Sequence, residues 1–208
     1  MLGYRQRDLL HTTIRNGLQP SAALLAFPRE GSIVTPAERE LICAFLQTSH
    51  EPGRIETPDA LTAWLAEHGL VTGSPAAGAD DVRHARRLRA ALISLFAANN
   101  GADLDPRAGP VLEELSARAP MTFALAPDGR IELRPAGETV AAALVRLAAI
   151  VFRAGVDGDY ARMKACKKCG WAFFDSSRNR SRTWCDMAMC GAQEKSREYR
   201  KRKNAAAG

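Results

Sequence analysis

The sequence predicts a mainly α-helical protein with one β-hairpin, extended at its C-terminus by a small metal-stabilised module. Three observations carry this. Apolar residues recur at helical spacing in successive stretches and give way to alternation only once. Four of the five cysteines fall between Cys166 and Cys190, in two close pairs. The charge also changes sign along the chain: thirteen Lys/Arg face four Asp/Glu from Ala161 onward, a net +9, and residues 1–160 carry −3. With 208 residues and 46% apolar content, the chain has room for one ordinary core and an appended module.

The elements follow in order. Arg5 to Asn16 is expected as a short helix stopped by Gly17 and Pro20, with a loop at Pro28 and Gly31. Thr35-Pro36-Ala-Glu38 has the form of a capping box with proline at the first helical position. Leu41, Ile42, Phe45 and Leu46 then repeat at helical spacing as far as His50-Glu-Pro-Gly. Thr57-Pro58-Asp59 starts a second helix, with Leu61, Trp64 and Leu65 on its apolar face and Gly69 at its end. Ser74 to Asp80 reads as a loop. Asp80 to Asn99 is a long helix carrying Val82, Leu88, Leu92, Leu95 and Phe96 on one face, with Arg83, Arg86, Arg87 and Arg89 mostly opposite. A short helix over 109–118 follows. Met121–Leu125 and Ile131–Arg134 alternate around the turn Pro127-Asp128-Gly129, which predicts the hairpin. Gly137 to Ala154 returns to helix, and Gly155 and Gly158 mark a hinge or turn. The domain boundary is placed there: a helical domain over 1–157 and a C-terminal module over 158–208.

The module reads Cys166-x2-Cys169-x15-Cys185-x4-Cys190. Two close pairs of thiolates separated by a loop of this size suit a tetrahedral Zn²⁺ site, so Zn²⁺ is the expected cofactor. In Cys166-Lys-Lys-Cys169-Gly170, two intervening residues let both sulfurs face one ion, and the glycine permits the tight turn. Lys164, Lys167 and Lys168 favour the thiolates. Trp171 and Trp184 are expected to form the module's mini-core, and Trp171 and Phe173 share one face of an extended segment. A helix starting near Asp186 would bring Cys185 and Cys190 together at its first turns. So small a fold would take most of its stability from the metal, on the order of 10 kcal/mol. From Gln193 the chain becomes a strongly basic helix, where Glu194 can pair with Arg197 and Glu198 with Arg202. Knuckle, aromatic strand and ligand-bearing helix describe a treble-clef or ribbon-like finger. Sign segregation beside a metal module points to a polyanionic partner. The candidate contacts are Arg178, Arg180, Arg182, Arg200, Lys201, Arg202 and Lys203.

Cys166-Lys-Lys-Cys169-Gly170-Trp171-x-Phe173-x-Asp175-x-Ser177, followed by Arg182-Thr183-Trp184-Cys185-x-Met187-x-x-Cys190-Gly191, resembles the CGNR zinc finger. The helices and hairpin ahead of it resemble, in their order, the ABATE domain that usually precedes that finger. The resemblance implies zinc ligation by Cys166, Cys169, Cys185 and Cys190, and a bacterial transcription regulator that binds DNA. This chain has Ala192-Gln193 where the family name specifies Asn-Arg.

Other residues take plainer readings. Cys43 sits among apolar neighbours as an inert core thiol. His11, His50, His68 and His84 are scattered and read as surface or capping residues. No Gly-rich phosphate loop, nucleophile elbow or acid–base–nucleophile set appears, so no enzyme is expected. Met1 to Leu10 carries Arg5, Arg7 and Asp8 without an apolar segment, which favours a reducing cytoplasm over secretion, and no stretch is suited to a membrane. The sequence thus leads to a DNA-binding regulator whose helical domain senses a small-molecule effector or forms a homodimer. The alternatives are an RNA-binding or ribosome-associated protein and a zinc-finger protein-interaction module.

Overall fold

Thr35 starts the first helix as its sequence dictates. Its hydroxyl accepts from the Glu38 N–H at 3.2 Å, and its own N–H donates to the Glu38 carboxylate at 2.9 Å. The computed structural model describes residues 34–205 apart from positions 74, 126, 128 and 130. The helix expected over Arg5 to Asn16, its stop signals and His11 lie outside the described residues.

Six α-helices and two antiparallel strand pairs make up the described chain: α1 (Pro36–Gln47), α2 (Pro58–Glu67), α3 (Ala79–Ala98), α4 (Ala108–Arg118), β1 (Met121–Leu125), β2 (Ile131–Pro135), α5 (Val140–Asp157), β3 (Met163–Ala165), β4 (Ala172–Phe174) and α6 (Ala192–Ala205). Helices α1, α2, α3 and α5 surround the core. Phe45, Trp64, Leu88, Phe96, Leu144 and Leu147 are all buried there, on the faces their spacing predicts. Thr57 and Thr139 cap α2 and α5 by accepting the N–H groups of Ala60 and Ala142. No helix among the described residues is long and apolar enough to cross a membrane.

Three features differ from the sequence reading. First, α5 does not stop at Ala154. It runs through Gly155 to Asp157 and is closed by Gly158 in the left-handed conformation (φ 77°), so Gly155 is helical and not a hinge. Second, His84 is buried. One ring nitrogen lies 2.6 Å from the Asp80 carbonyl and the other 2.9 Å from the Glu114 carboxylate, so the ring ties α3 to α4. His68 and His50 do sit at helix ends: His68 stacks on Trp64, and His50 faces Trp171. Third, a second antiparallel pair, β3–β4, accompanies the expected hairpin.

That second pair joins the cysteine module to the body. Met163, Ala165, Ala172 and Phe174 share the face that packs on the helical core, and Lys164 and Phe173 share the other. Asn99 and Asn100, just past the end of α3, reach across to it. The Asn99 amide donates to the carbonyls of Tyr160 and Met163 at 2.8 and 2.9 Å. The buried Asn100 amide donates to those of Ala165 and Thr183, also at 2.8 and 2.9 Å. From α1, Arg39 pairs with Asp159 at 2.9 Å and lies 4.2 Å from the centre of the Phe174 ring, and Gln47 donates to the Ala172 carbonyl. Replacing Asn100 with alanine leaves two inward-facing carbonyls without their donor. The expected cost is about 2 kcal/mol, read as a lower denaturation midpoint with an unchanged slope.

Candidate metal centre and nucleic-acid interface

The cysteine pairs converge because two unlike turns aim them. In the first, the Gly170 N–H donates to the Cys166 carbonyl at 2.9 Å and Gly170 adopts φ 75°, which returns the chain toward β4. In the second, Asp186 caps one wide turn over Met187–Gly191. Its carboxylate accepts the Met189 N–H at 2.7 Å, and its carbonyl accepts from Cys190 and Gly191. A β-carbon on Gly191 would make the exposed Met187 side chain move and would press on the Trp184 indole at 3.1 Å, which favours glycine after the last cysteine.

The four sulfurs all lie within 4.8 Å of one another. Three of the separations are 3.6 Å (Cys169–Cys185), 3.7 Å (Cys185–Cys190) and 3.7 Å (Cys190–Cys169). Sulfurs at tetrahedral corners about 2.3 Å from a zinc ion are about 3.8 Å apart. The donor set therefore fits one Zn²⁺, with all four tetrahedral positions taken by sulfur. The electrostatics agree. Burial pushes the Cys166 thiol up, but the backbone N–H groups of Cys185, Cys169 and Lys168 outweigh it and bring the group to about 7. Burial and the neighbouring sulfurs push Cys185 far up, and Cys190 is raised as well. Several thiolates this close call for a central cation. Cys43 is held to a thiol by burial and by Glu40, with its pKa raised to about 11.

A second clamp closes the 15-residue loop between the cysteine pairs. Lys164 is buried, and its ammonium donates to the Asp175 carboxylate (2.8 Å) and to the carbonyls of Arg180 (2.6 Å) and Arg182 (3.0 Å). Asp175, fully buried, also accepts from Ser177 N–H and Oγ and from Arg182 N–H. Burial works to raise the Asp175 carboxyl, but these donors, led by Lys164, hold it well below the ordinary aspartate value. Arg180 takes φ 52° to turn its carbonyl inward. Lys164 thus belongs to the interior of the module and not to its cationic surface.

The candidate contacts separate on inspection. Arg178 and Arg180 are exposed on that loop, and Arg200, Lys201, Arg202 and Lys203 are exposed along α6. Arg182 is turned inward: its guanidinium donates to the carbonyls of Trp184 and Cys185 and lies 5.1 Å from the centre of the Phe173 ring. Neither tryptophan of the expected mini-core is fully buried, and Phe173 takes that place instead. Trp184 is half-buried, and Trp171 lies at the surface against His50 of the body, ring centres 5.4 Å apart.

Between the knuckle and α6 lies a polar cleft of about 970 Å³, lined by Lys167, Lys168, Trp184, Arg197 and Arg200 among others. Composition alone did not reveal it, because it exists only once the cysteines set the direction of α6. Knuckle lysines point outward because the cysteines on either side point in. Gln193 accepts from the Lys168 ammonium, so one of the two residues departing from Asn-Arg ties the arm to the knuckle. Glu194 pairs with Arg197 at 3.6 Å, and among the described residues no Glu198–Arg202 pair forms.

A helical domain continuous with a four-cysteine, knuckle-and-helix finger defines a zinc-finger protein of the treble-clef or ribbon type. Residues 39–156 match the ABATE family, described as a putative stress-induced transcription regulator, and residues 162–203 match the CGNR zinc finger. The chain belongs to the ABATE family and carries the CGNR finger after that domain, as the motifs implied. No match was found among curated proteins.

Elemental analysis should find one zinc per chain. A strong chelator should unfold the finger, with loss of the near-ultraviolet signal of Trp171 and Trp184. Lys164→Met leaves Asp175 buried without its cation and should cost about 3–5 kcal/mol, measured by denaturation of the zinc-loaded protein. The sign of the acid response follows from the depressed carboxyl. The Asp175 contribution is complete above the unfolded aspartate pKa of about 3.9 and is lost as pH falls toward and through the lower folded value.

Proposed function

We propose that this chain is a transcription regulator that grips duplex DNA with its zinc finger and basic arm. The observation that carries the reading is the cleft where Lys167 and Lys168 of the knuckle stand with Arg197 and Arg200 of the arm, four cations against the two acids of its lining, Glu194 and Glu198. Phosphate groups suit such a cleft, and the exposed cations beyond it, Lys201, Arg202 and Lys203, extend the track along one helix. Arg178 and Arg180 flank the track from the loop. Arg182 acts from inside, by holding the chain around Cys185.

Two supporting observations are chemical. Both matched families are regulator or zinc-finger families and not enzyme families. Four cysteines that must stay reduced to hold a metal suit a reducing compartment, which supports a cytoplasmic setting for this reading. The helical body, in this reading, takes an effector or joins two copies.

Fluorescence anisotropy with labelled duplex DNA tests the proposal. If about six phosphates are neutralised, affinity should fall roughly a thousandfold between about 50 and 200 mM salt. The triple change Lys201→Glu, Arg202→Glu, Lys203→Glu should weaken binding strongly and flatten that slope, while zinc content stays at one per chain. Preference for structured RNA under the same salt would transfer the reading to RNA. No binding to either would refute it.

A further inference from the structure

The hairpin presents an apolar face that nothing among the described residues covers. Phe123 stands opposite Leu133 and Leu125 opposite Ile131, all on one side of the two-stranded sheet. Their exposures are 83, 49, 74 and 76%. Strands that alternate in this way normally bury one face. A two-stranded hairpin is also marginal by itself, and with β1 and β2 paired only to each other, both are edge strands.

Beside the hairpin, on the same side, α4 and α5 leave an open apolar groove of about 790 Å³. Leu95, Leu112, Val145, Phe152 and Val156 line it, and Met121 and Leu133 connect it to the base of the hairpin. Glu113 is the one charged residue in its lining. Phe152 and Val156 are 65% and 50% exposed on the outer side of α5. A projecting apolar tip next to an apolar recess is a self-complementary pattern, since a two-fold axis brings each tip over the other copy's recess.

We infer that the chain forms a symmetric homodimer through this face, the Phe123–Leu125–Ile131 tip of each copy lodging in the α4–α5 groove of the other. The area is sufficient. At about 200 Å² per aromatic side chain, the exposed parts of Phe123 and Phe152 present about 300 Å². The four aliphatic side chains bring the patch to roughly twice that, the upper end of what the largest apolar patch on a monomer reaches. A standard interface uses about 800 Å² per partner, a little over half of it apolar. A small hydrophobic ligand accounts for less of what is seen. The groove is open, and Phe123, Leu125 and Ile131 do not line it, so they would stay in water with the ligand bound. Glu113 is the only charged side chain lining the groove, so the contact is almost wholly apolar.

The inference deepens the functional reading and rests on it for what the dimer does: two copies double the cationic track and present two fingers to one duplex. The dimer itself is measured without DNA. Sedimentation of the full zinc-loaded chain at micromolar concentration should give twice the chain mass. The double change Phe123→Glu, Leu125→Glu should halve it, with helical circular dichroism and zinc content unchanged. Val156→Glu, on the other half of the contact, should do the same. A native protein that sediments as a monomer, or variants that both stay dimeric, would overturn the inference. So would a monomer found by native mass spectrometry with a hydrophobic small molecule bound. A protein that dimerises as described and yet binds no DNA refutes the functional reading and supports this one.

Discussion

Four sulfurs meeting at one point decide where everything C-terminal to Ala165 goes. Cys166 and Cys169 leave from β3, and Cys185 and Cys190 lead into α6, so a shared ion fixes the angle between a strand and a helix that otherwise have little reason to meet. The intervening loop is too short and too polar to hold that angle by burial. It is held at a second point by Lys164 and Asp175, whose buried charges are matched by donors and acceptors on every side. The metal sets direction, and the ion pair gives the loop its shape. Without the metal, little else would fix the direction in which the cations of α6 face.

The finger is not an ornament on a finished domain. One face of β3–β4 belongs to the helical core, and the two asparagines after α3 grip its carbonyls. The connection also runs the other way. The C-terminal end of α5 borders the apolar groove at Val156, and Tyr160, a few residues on, both lines that groove and takes a hydrogen bond from Asn99. Asp159, between them, pairs with Arg39 and Arg162. A displacement of the last turn of α5 would therefore be felt at the root of the finger within two or three contacts.

Much of this was legible in the sequence, and the reason is locality. The Thr35 capping box, the helix start at Thr57 and the two strands of the hairpin depend on residues close along the chain, and they stand where the pattern put them. The cysteines were legible for a different reason: metal geometry imposes spacing that few other uses share. The misses share a cause too. His84 finds Glu114 thirty residues away, and Asn100 finds Thr183 eighty-three away. Arg182 is occupied by carbonyls, which every residue carries and no pattern marks. Gly155 looked like a hinge because glycine is poor in helices, but Ala154 just before it is buried, and the helix carries on to Gly158, where the carbonyls of Ala154 and Gly155 accept from the closing N–H groups. The cleft of Lys167, Lys168, Arg197 and Arg200 could not be seen at all until the metal had set the arm.

The asparagine pair has an implication for anyone wishing to graft this finger onto another scaffold. Cut at the apparent joint after Gly158, the transplanted piece would carry its zinc but leave behind the amides that satisfy the carbonyls of Met163, Ala165 and Thr183. The portable unit is larger than the cysteines suggest. It includes the last turn of α3 with Asn99 and Asn100, and the stretch of α1 bearing Arg39 and Gln47. A hybrid regulator built on this module therefore has to import part of its original housing.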